Sequence, residues 1–246
     1  MTEQATDQPL VSVVIPTYDE SATILDLIGQ LSESLPRTVT SEIVVVDDDS
    51  PDGTGQAVAG YIERLGKKAE PLVRLVVRKG ERGLGSAIVR GINESRGRYV
   101  VVMDADLSHP PSVVPRLLEP LLESQCDVAV ASRHVEGGGV VGWPLTRRLA
   151  SWGATELARV LGLGVRDPMS GFFAFDRRVI QGIQFYAIGY KILPEILAKS
   201  KGLRVMEIPF TFVNRKAGAS KLSIKIMFDY LRMAWKLFWA RHTKPQ

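Results

Sequence analysis

Short unbroken apolar runs alternate, along the first half of the chain, with longer stretches in which apolar residues recur every third or fourth position. The first pattern predicts strands buried on both faces and the second predicts helices with one apolar stripe. Val11–Ile15 reads as the first strand, closed by Pro16. Ile24, Leu27, Ile28, Leu31 and Leu35 then fall on one helical face, with Ser21 able to cap the helix and Pro36 ending it. Strand Glu42–Val46, helix Gly55–Arg64, strand Leu72–Val77, helix Leu84–Ser95, strand Tyr99–Val102, a helix near Val113–Glu123 and strand Val128–Ala131 follow. Strands alternating with helices predict the α/β class, with a mostly parallel central sheet flanked by helices.

The pattern changes after Ser132. Ser132–Gly139 reads as a flexible loop, and the glycines of Gly137–Gly142 permit a movement that closes over a substrate. A long helix is expected from Trp143 to about Leu161, then a turn at Arg166–Phe172 into a short strand, a helix around Lys191–Ser200 and strand Val205–Pro209. Phe212–Lys221 reads as a basic loop rich in small residues. In the last stretch Lys225, Asp229, Arg232 and Lys236 make one charged stripe, while Ile224, Met227, Phe228, Leu231, Trp235, Phe238 and Trp239 make a wide apolar arc. Such a helix suits a membrane interface, and equally a partner subunit or the rest of its own chain. The expected division is a polar tail 1–9, a catalytic domain 10–221 and this amphipathic element 222–246.

Where the predicted strands end, acids gather. Ligand sites in open parallel sheets lie beyond the carboxyl ends of the strands. Tyr99–Val102 runs into Met103-Asp104-Ala105-Asp106-Leu107-Ser108, and an Asp-x-Asp there can bring two hard oxygen ligands to one Mg²⁺ or Mn²⁺ and, through it, a diphosphate. By itself the pair also fits a strand followed by an acidic turn. Glu42–Val46 runs into Asp47-Asp48-Asp49, whose mutual repulsion calls for a ligand or cation, or for a turn held by Asx-type hydrogen bonds. Lys79–Ser86 is glycine-rich and opens a helix, a start that can hold phosphate through backbone N–H groups.

Composition narrows the field. A formal net charge of +4 suits an anionic ligand or membrane surface, and no nucleic-acid-binding motif accompanies it. Cys126 is the only cysteine, which excludes intrachain disulfides and thiolate zinc clusters, and His109, His134 and His242 show no metal-ligand spacing. Met1–Gln8 carries no basic-then-apolar signal pattern, and no apolar run approaches the roughly 18 residues that span a bilayer. The expectation is a peripheral protein on the cytoplasmic face of a membrane.

Taken in order, these stretches resemble the dolichol-phosphate mannose synthases of glycosyltransferase family 2, from Val11 to about Leu222. The resemblance rests on Val13–Glu20, Val46–Thr54, Gly83-Leu84-Gly85, Met103–Pro110, Gly142-Trp143 with Arg147 and Ser151, Asp167–Phe172 and Arg215-x-x-Gly218-x-Ser220-Lys221-Leu222. It implies a GT-A type nucleotide-diphospho-sugar transferase fold. By that similarity Pro16, Tyr18, Glu20, Val46 and Asp48 hold the base and ribose of a nucleotide-sugar, with GDP-mannose as donor. Asp104 and Asp106 bind Mg²⁺ or Mn²⁺ and the diphosphate, and Arg133, Arg147, Ser151, Arg215 and Lys221 grip the phosphate of a dolichyl or polyprenyl monophosphate. Two positions depart from the family. Asp49 stands where glycine is common, and Ser108 stands where some members use Gln as a further metal ligand, so that a hydroxyl or a water takes that place. Many members continue into transmembrane helices. This chain resembles the type that attaches through its last helix or through a small transmembrane partner subunit.

The residues support such a transfer independently. A sugar hydroxyl acceptor needs a general base, whereas a lipid phosphate is already anionic and needs neutralisation instead. Arg133, Arg147, Arg215 and Lys221 meet that need. Three readings compete: a UDP-glucose-dependent lipid-phosphate glucosyltransferase, a hydroxyl-directed transferase with Asp167 as base, and a non-catalytic nucleotide-sugar-binding subunit. A nucleotidyltransferase also uses acidic strand ends but has no role for the basic set or the final helix. Gln-x-x-Arg-Trp, the mark of processive polysaccharide synthases, is absent.

Overall fold

A computed structural model describes residues 9–66, 70–142, 153, 155–156, 163–186 and 192–213. Within them the chain runs β1 (Val11–Thr17), α1 (Ile24–Ser34), β2 (Ser41–Asp47), α2 (Thr54–Leu65), β3 (Leu72–Val77), α3 (Leu84–Glu94), β4 (Tyr99–Val102), α4 (Val114–Leu122), β5 (Val128–Ser132), β6 (Gly139–Val141), β7 (Phe173–Asp176), α5 (Leu193–Lys199), β8 (Val205–Pro209) and β9 (Thr211–Val213). Single 3₁₀ turns precede α4 and follow β7. Seven strands form one sheet in the order β3-β2-β1-β4-β7-β5-β8, and β6 pairs with β9 in a small parallel ribbon. All the large-sheet pairings are parallel except those of β7, which runs antiparallel between β4 and β5. The mostly parallel α/β sheet expected from the alternation is therefore present.

The apolar runs are buried as their pattern requires. Every residue of β1, β2, β4 and β5 is buried. On one face Ile24, Leu27, Ile28 and Leu31 of α1 pack with Leu117 and Leu118 of α4 against Val13, Ile15, Ile43 and Val101. On the other, Ile88 and Ile92 of α3 and Ile196 of α5 pack against Val14, Val100, Phe173 and Phe175. Gly91 permits the close approach of α3: a Cβ there would lie 2.3 Å from a Val14 methyl.

Four local expectations need correction. Pro16 lies inside β1, opposite Val46, instead of ending the strand. Val14 carbonyl accepts from Met103 N–H on the β4 side, and the β4 ladder stops at Val14↔Val102. Two residues on, Pro16 presents its nitrogen to the same side, where no ladder bond is required of it. Ser21 does not cap α1: its N–H donates to Asp52 Oδ2, and the helix starts after Thr23. The glycine-rich stretch at 139–141 is a strand, held by β9, and residues 211–213 are a strand where a loop was expected. The long helix from Trp143, the basic loop beyond Val213 and the final amphipathic element lie outside the described residues, apart from helical positions at 153, 155 and 156.

Candidate nucleotide-sugar site

Strand order converts scattered motifs into one row. The carboxyl ends of β2, β1, β4, β5 and β8 share one edge of the sheet, and because β7 is antiparallel, its leading residue Phe173 lies at that edge too. Along the edge stand Asp48 after β2, Tyr18 and Glu20 after β1, Asp104 and Asp106 after β4, Asp167–Phe172 before β7, Arg133 after β5 and Phe210 after β8. The row runs from Asp48, Tyr18 and Glu20, through the paired acids, to Arg133.

The loops after β1 and β2, where a nucleotide is expected, are stitched together by hydrogen bonds. Asp48 N–H donates to Thr17 carbonyl (3.1 Å), Asp19 N–H to Ser50 Oγ (3.1 Å) and Glu20 N–H to Thr54 Oγ1 (3.0 Å). The three acids at 47–49 have three different fates. Asp47 is buried and accepts from Thr17 Oγ1, Ser50 N–H and Ser50 Oγ, an Asx-type turn built inside the protein. Asp48, also buried, takes Arg78 Nε at 2.7 Å and Nη2 at 2.6 Å on Oδ1, and Gly83 N–H at 2.9 Å on Oδ2. Asp49 is exposed with φ +53°, which explains why glycine suits this turn and why a short acid, tolerant of the left-handed region, can replace it.

Arg78 was not anticipated from the sequence, because nothing in a lone arginine after a strand distinguishes it from a solvated one. It is 3% exposed, and besides Asp48 it reaches Glu81, Ser86 Oγ and the Gly83 carbonyl. The Lys79–Ser86 link, read as an opening that can hold phosphate, gives its Gly83 amide to Asp48 instead. Arg82 was also missed; its guanidinium lies 4.5 Å from the centroid of the Tyr18 ring.

In the centre Asp104 retains about a quarter of its side-chain surface, 26%, and Asp106 is half-buried. Ser108 N–H donates to Asp106 Oδ1 (3.0 Å), and Leu107 between them adopts φ +59°. Ser108 is 1% exposed and, among the described residues, its Oγ has no hydrogen-bond partner. A buried hydroxyl without a partner, on the same short turn as two carboxylates, completes a hard-oxygen set in chemical type. Among the described residues no group of three or more His, Cys, Asp or Glu is placed to hold an ion alone. Two carboxylates and a hydroxyl fit Mg²⁺ or Mn²⁺, which are commonly bound through one or two carboxylates and completed by water and substrate phosphates.

After β5, where the acceptor phosphate is expected, Arg133 forms a fork with Asp167: Nε to Oδ2 and Nη2 to Oδ1, both 2.8 Å, with its own N–H adding a third bond to Oδ2. Asp167 is fully buried. Burial alone would raise its pKa, yet the Arg133 fork outweighs that and holds the carboxyl below the usual aspartate range. Glu207 of β8 accepts from the Arg166 and Asp167 amides, fixing this turn against the sheet. Arg147, Ser151, Arg215 and Lys221 lie outside the described residues.

A mostly parallel sheet with an acidic pair at the end of a central strand, and further carboxylates at the ends of its neighbours, matches the GT-A class of nucleotide-diphospho-sugar transferase folds. The chain belongs to glycosyl transferase family 2, whose family model matches residues 12–183. It is 44% identical over 230 residues to a dolichol-phosphate mannosyltransferase of Pyrococcus furiosus, covering 92% of this chain and 63% of that one. A Saccharomyces cerevisiae protein of the same name is 37% identical, with 92% and 86% covered. An undecaprenyl-phosphate mannosyltransferase of Micrococcus luteus is 36% identical, with 87% of each covered. The chain thus spans slightly under two thirds of the Pyrococcus relative and most of the other two. Among solved structures, Mycobacterium tuberculosis glucosyl-3-phosphoglycerate synthase, in complex with Mn²⁺, UDP-glucose and phosphoglyceric acid, superposes with a TM-score of 0.68 at 23% identity, covering 97% of this chain and 81% of that one. At that identity the likeness speaks for the fold.

Proposed function

We propose that this chain transfers mannose from GDP-mannose to a dolichyl or polyprenyl monophosphate, with inversion at the anomeric carbon. The names of its relatives support the reaction, and one observation within the chain carries it. Asp167, the candidate base for a hydroxyl acceptor, is fully buried and bound by the Arg133 fork. A carboxylate so placed has neither the access nor the basicity to remove a proton. A lipid phosphate needs no such help: an anionic oxygen attacks the anomeric carbon, the bond from that carbon to the diphosphate oxygen breaks, and its electron pair leaves with the nucleoside diphosphate.

Pro16, Tyr18, Glu20, Val46 and Asp48 receive the base and ribose. With Arg78 and Gly83 already on it, Asp48 is held in place before the donor arrives, which lowers the ordering cost of binding. Asp104, Asp106 and Ser108 would hold Mg²⁺ or Mn²⁺, which supplies neutralisation of the charge growing on the departing diphosphate. Arg147, Ser151, Arg215 and Lys221 receive the acceptor phosphate. Arg133 contributes there as half of an ion pair, orienting the crevice wall through Asp167. No described helix is long and apolar enough to cross a membrane, and the lipid is met at a membrane surface by the amphipathic stretch 222–246 or through a small transmembrane partner.

Incubating purified protein with Mg²⁺ or Mn²⁺, radiolabelled GDP-mannose or UDP-glucose and a polyprenyl phosphate tests this directly. Label is expected in the organic phase from GDP-mannose; label from UDP-glucose alone would transfer the argument to the glucosyl reading, and none from either would favour a binding subunit. Arg215→Ala should raise the lipid-phosphate KM more than the donor KM. An unchanged lipid KM removes Arg215 from the acceptor site.

A further inference from the structure

The turn that carries the paired acids is closed by a residue to which neither the sequence pattern nor the proposed chemistry gives a role. The β4 ladder ends at Val102, and Met103 N–H makes the last bond to β1. Asp104 N–H then has no strand to pair with. It donates to Nδ1 of His109 at 3.1 Å, across the five-residue loop that contains both acids. Nε2 of the same ring lies 3.9 Å from Asp104 Oδ2. His109 is 3% exposed; its ring stacks on Phe172 (centroids 5.0 Å apart, planes 20° apart) and meets Phe210 and Phe212 edge-on at 5.8 Å each.

An imidazole among three phenyl rings is an expensive way to fill space, because its nitrogens must be satisfied after desolvation. A nitrogen that accepts from a backbone N–H carries a lone pair, so the other nitrogen carries the proton. The ring therefore meets Asp104 twice: Nδ1 accepts from its backbone N–H, and Nε2 lies 3.9 Å from its carboxylate. Second-layer partners of this kind set the direction of an ion-holding carboxylate. We propose that His109 is the positioning residue for Asp104, its ring held in place by three aromatic neighbours and its Nδ1 preorganising the acid pair for a divalent ion. This rests on the reading of Asp104 and Asp106 as ion-holding carboxylates.

The test compares His109→Phe, which keeps the aromatic packing and removes both nitrogens, with His109→Asn, whose amide oxygen can replace Nδ1 as acceptor. Mn²⁺ binding in the presence of GDP is read from the free-ion electron paramagnetic resonance signal, with Asp106→Ala as reference. H109F should bind Mn²⁺ about tenfold more weakly than the unaltered protein, and H109N should recover most of that loss, with GDP binding in EDTA equal in all. In the transfer assay H109F should lower kcat and raise the Mn²⁺ requirement while leaving the lipid-phosphate KM unchanged. A purely structural histidine would lower the melting temperature of both variants alike without separating their Mn²⁺ affinities, and that result overturns the proposal. Unaltered affinity in H109F with loss in D106A overturns the role of His109 alone; unaltered affinity in D106A overturns the ion reading beneath it. Histidine ¹⁵N spectra of the unaltered protein give an arm that needs no variant: Nε2–H with an unprotonated Nδ1 is expected, and an Nδ1–H tautomer overturns the assignment.

Discussion

The two flanks of this sheet, β1 to β4 and β5 to β8, are built by different means. From β1 to β4 the strands are all parallel, and their end loops meet through hydrogen bonds across adjacent strands, with Arg78 on Asp48 as a buried ion pair. Beyond β4 the antiparallel β7 intervenes before β5 and β8, and segments here are tied by carboxylates: Arg133 to Asp167, Arg204 to Asp127, and the Arg166 and Asp167 amides to Glu207. The first flank leaves its central acids, Asp104 and Asp106, partly open. The second flank, among the described residues, neutralises its buried charge internally. An enzyme that must place two anions beside each other gains from this division, because the donor side can bind an ion while the acceptor wall stays rigid.

The comparison is broken hardest at Asp167. Asp167→Asn removes the carboxylate that forks onto the nearly buried Arg133, and should cost about 3–5 kcal/mol, measured by urea denaturation. The same pair predicts a pH dependence. Its folded pKa is depressed, so its stabilisation is present above the ordinary aspartate value near 3.9 and is lost as pH falls through the lower folded value. Unaltered protein should lose stability on acidification below about pH 4, and D167N should show a shallower acid limb. Equal stability of the two proteins at pH 7 would mean that the fork contributes nothing.

Asp106→Ala should reduce transfer by about 10²–10³-fold with circular dichroism unchanged. Full activity in that variant removes the central acids from the mechanism. Arg78→Lys keeps the charge beside Asp48 but not the fork, and should cost about 1.5–3 kcal/mol in donor binding, read as donor KM with lipid-phosphate KM unaffected. The smallest effect is expected at Asp49, where Asp49→Gly relieves a left-handed residue and should stabilise the protein by about 0.5 kcal/mol by thermal melting.

What the sequence made legible follows the same division. The strands β1 to β5 and the acids after β2 and β4 were readable because burial on both faces forces unbroken apolar runs, and because strand ends are where α/β sheets place ligands. Pro16 misled the reading, since its tolerance depends on where the β4 ladder stops, which is a tertiary fact. The β6–β9 ribbon was invisible for a related reason: three-residue strands around Val140 and Phe212 carry no period, and glycine at 139 suggested motion where pairing imposes order. Arg78 and the Arg133–Asp167 fork could not be found by spacing, because each joins residues about thirty positions apart. Arg133 and Asp167 were both singled out, but for separate tasks, and the structure joins them.

The central claim is that Asp104 and Asp106 hold the ion under the diphosphate while the cations beyond β5 and β9 receive a second anion in the same crevice. A crystal structure with Mn²⁺, GDP and a short-chain polyprenyl phosphate tests it most directly. The account predicts an anomalous Mn²⁺ peak bonded to Asp104, Asp106 and the diphosphate, with the lipid phosphate against Arg147, Arg215 and Lys221. A peak away from those two carboxylates, or a lipid phosphate bound on another face of the sheet, would contradict it.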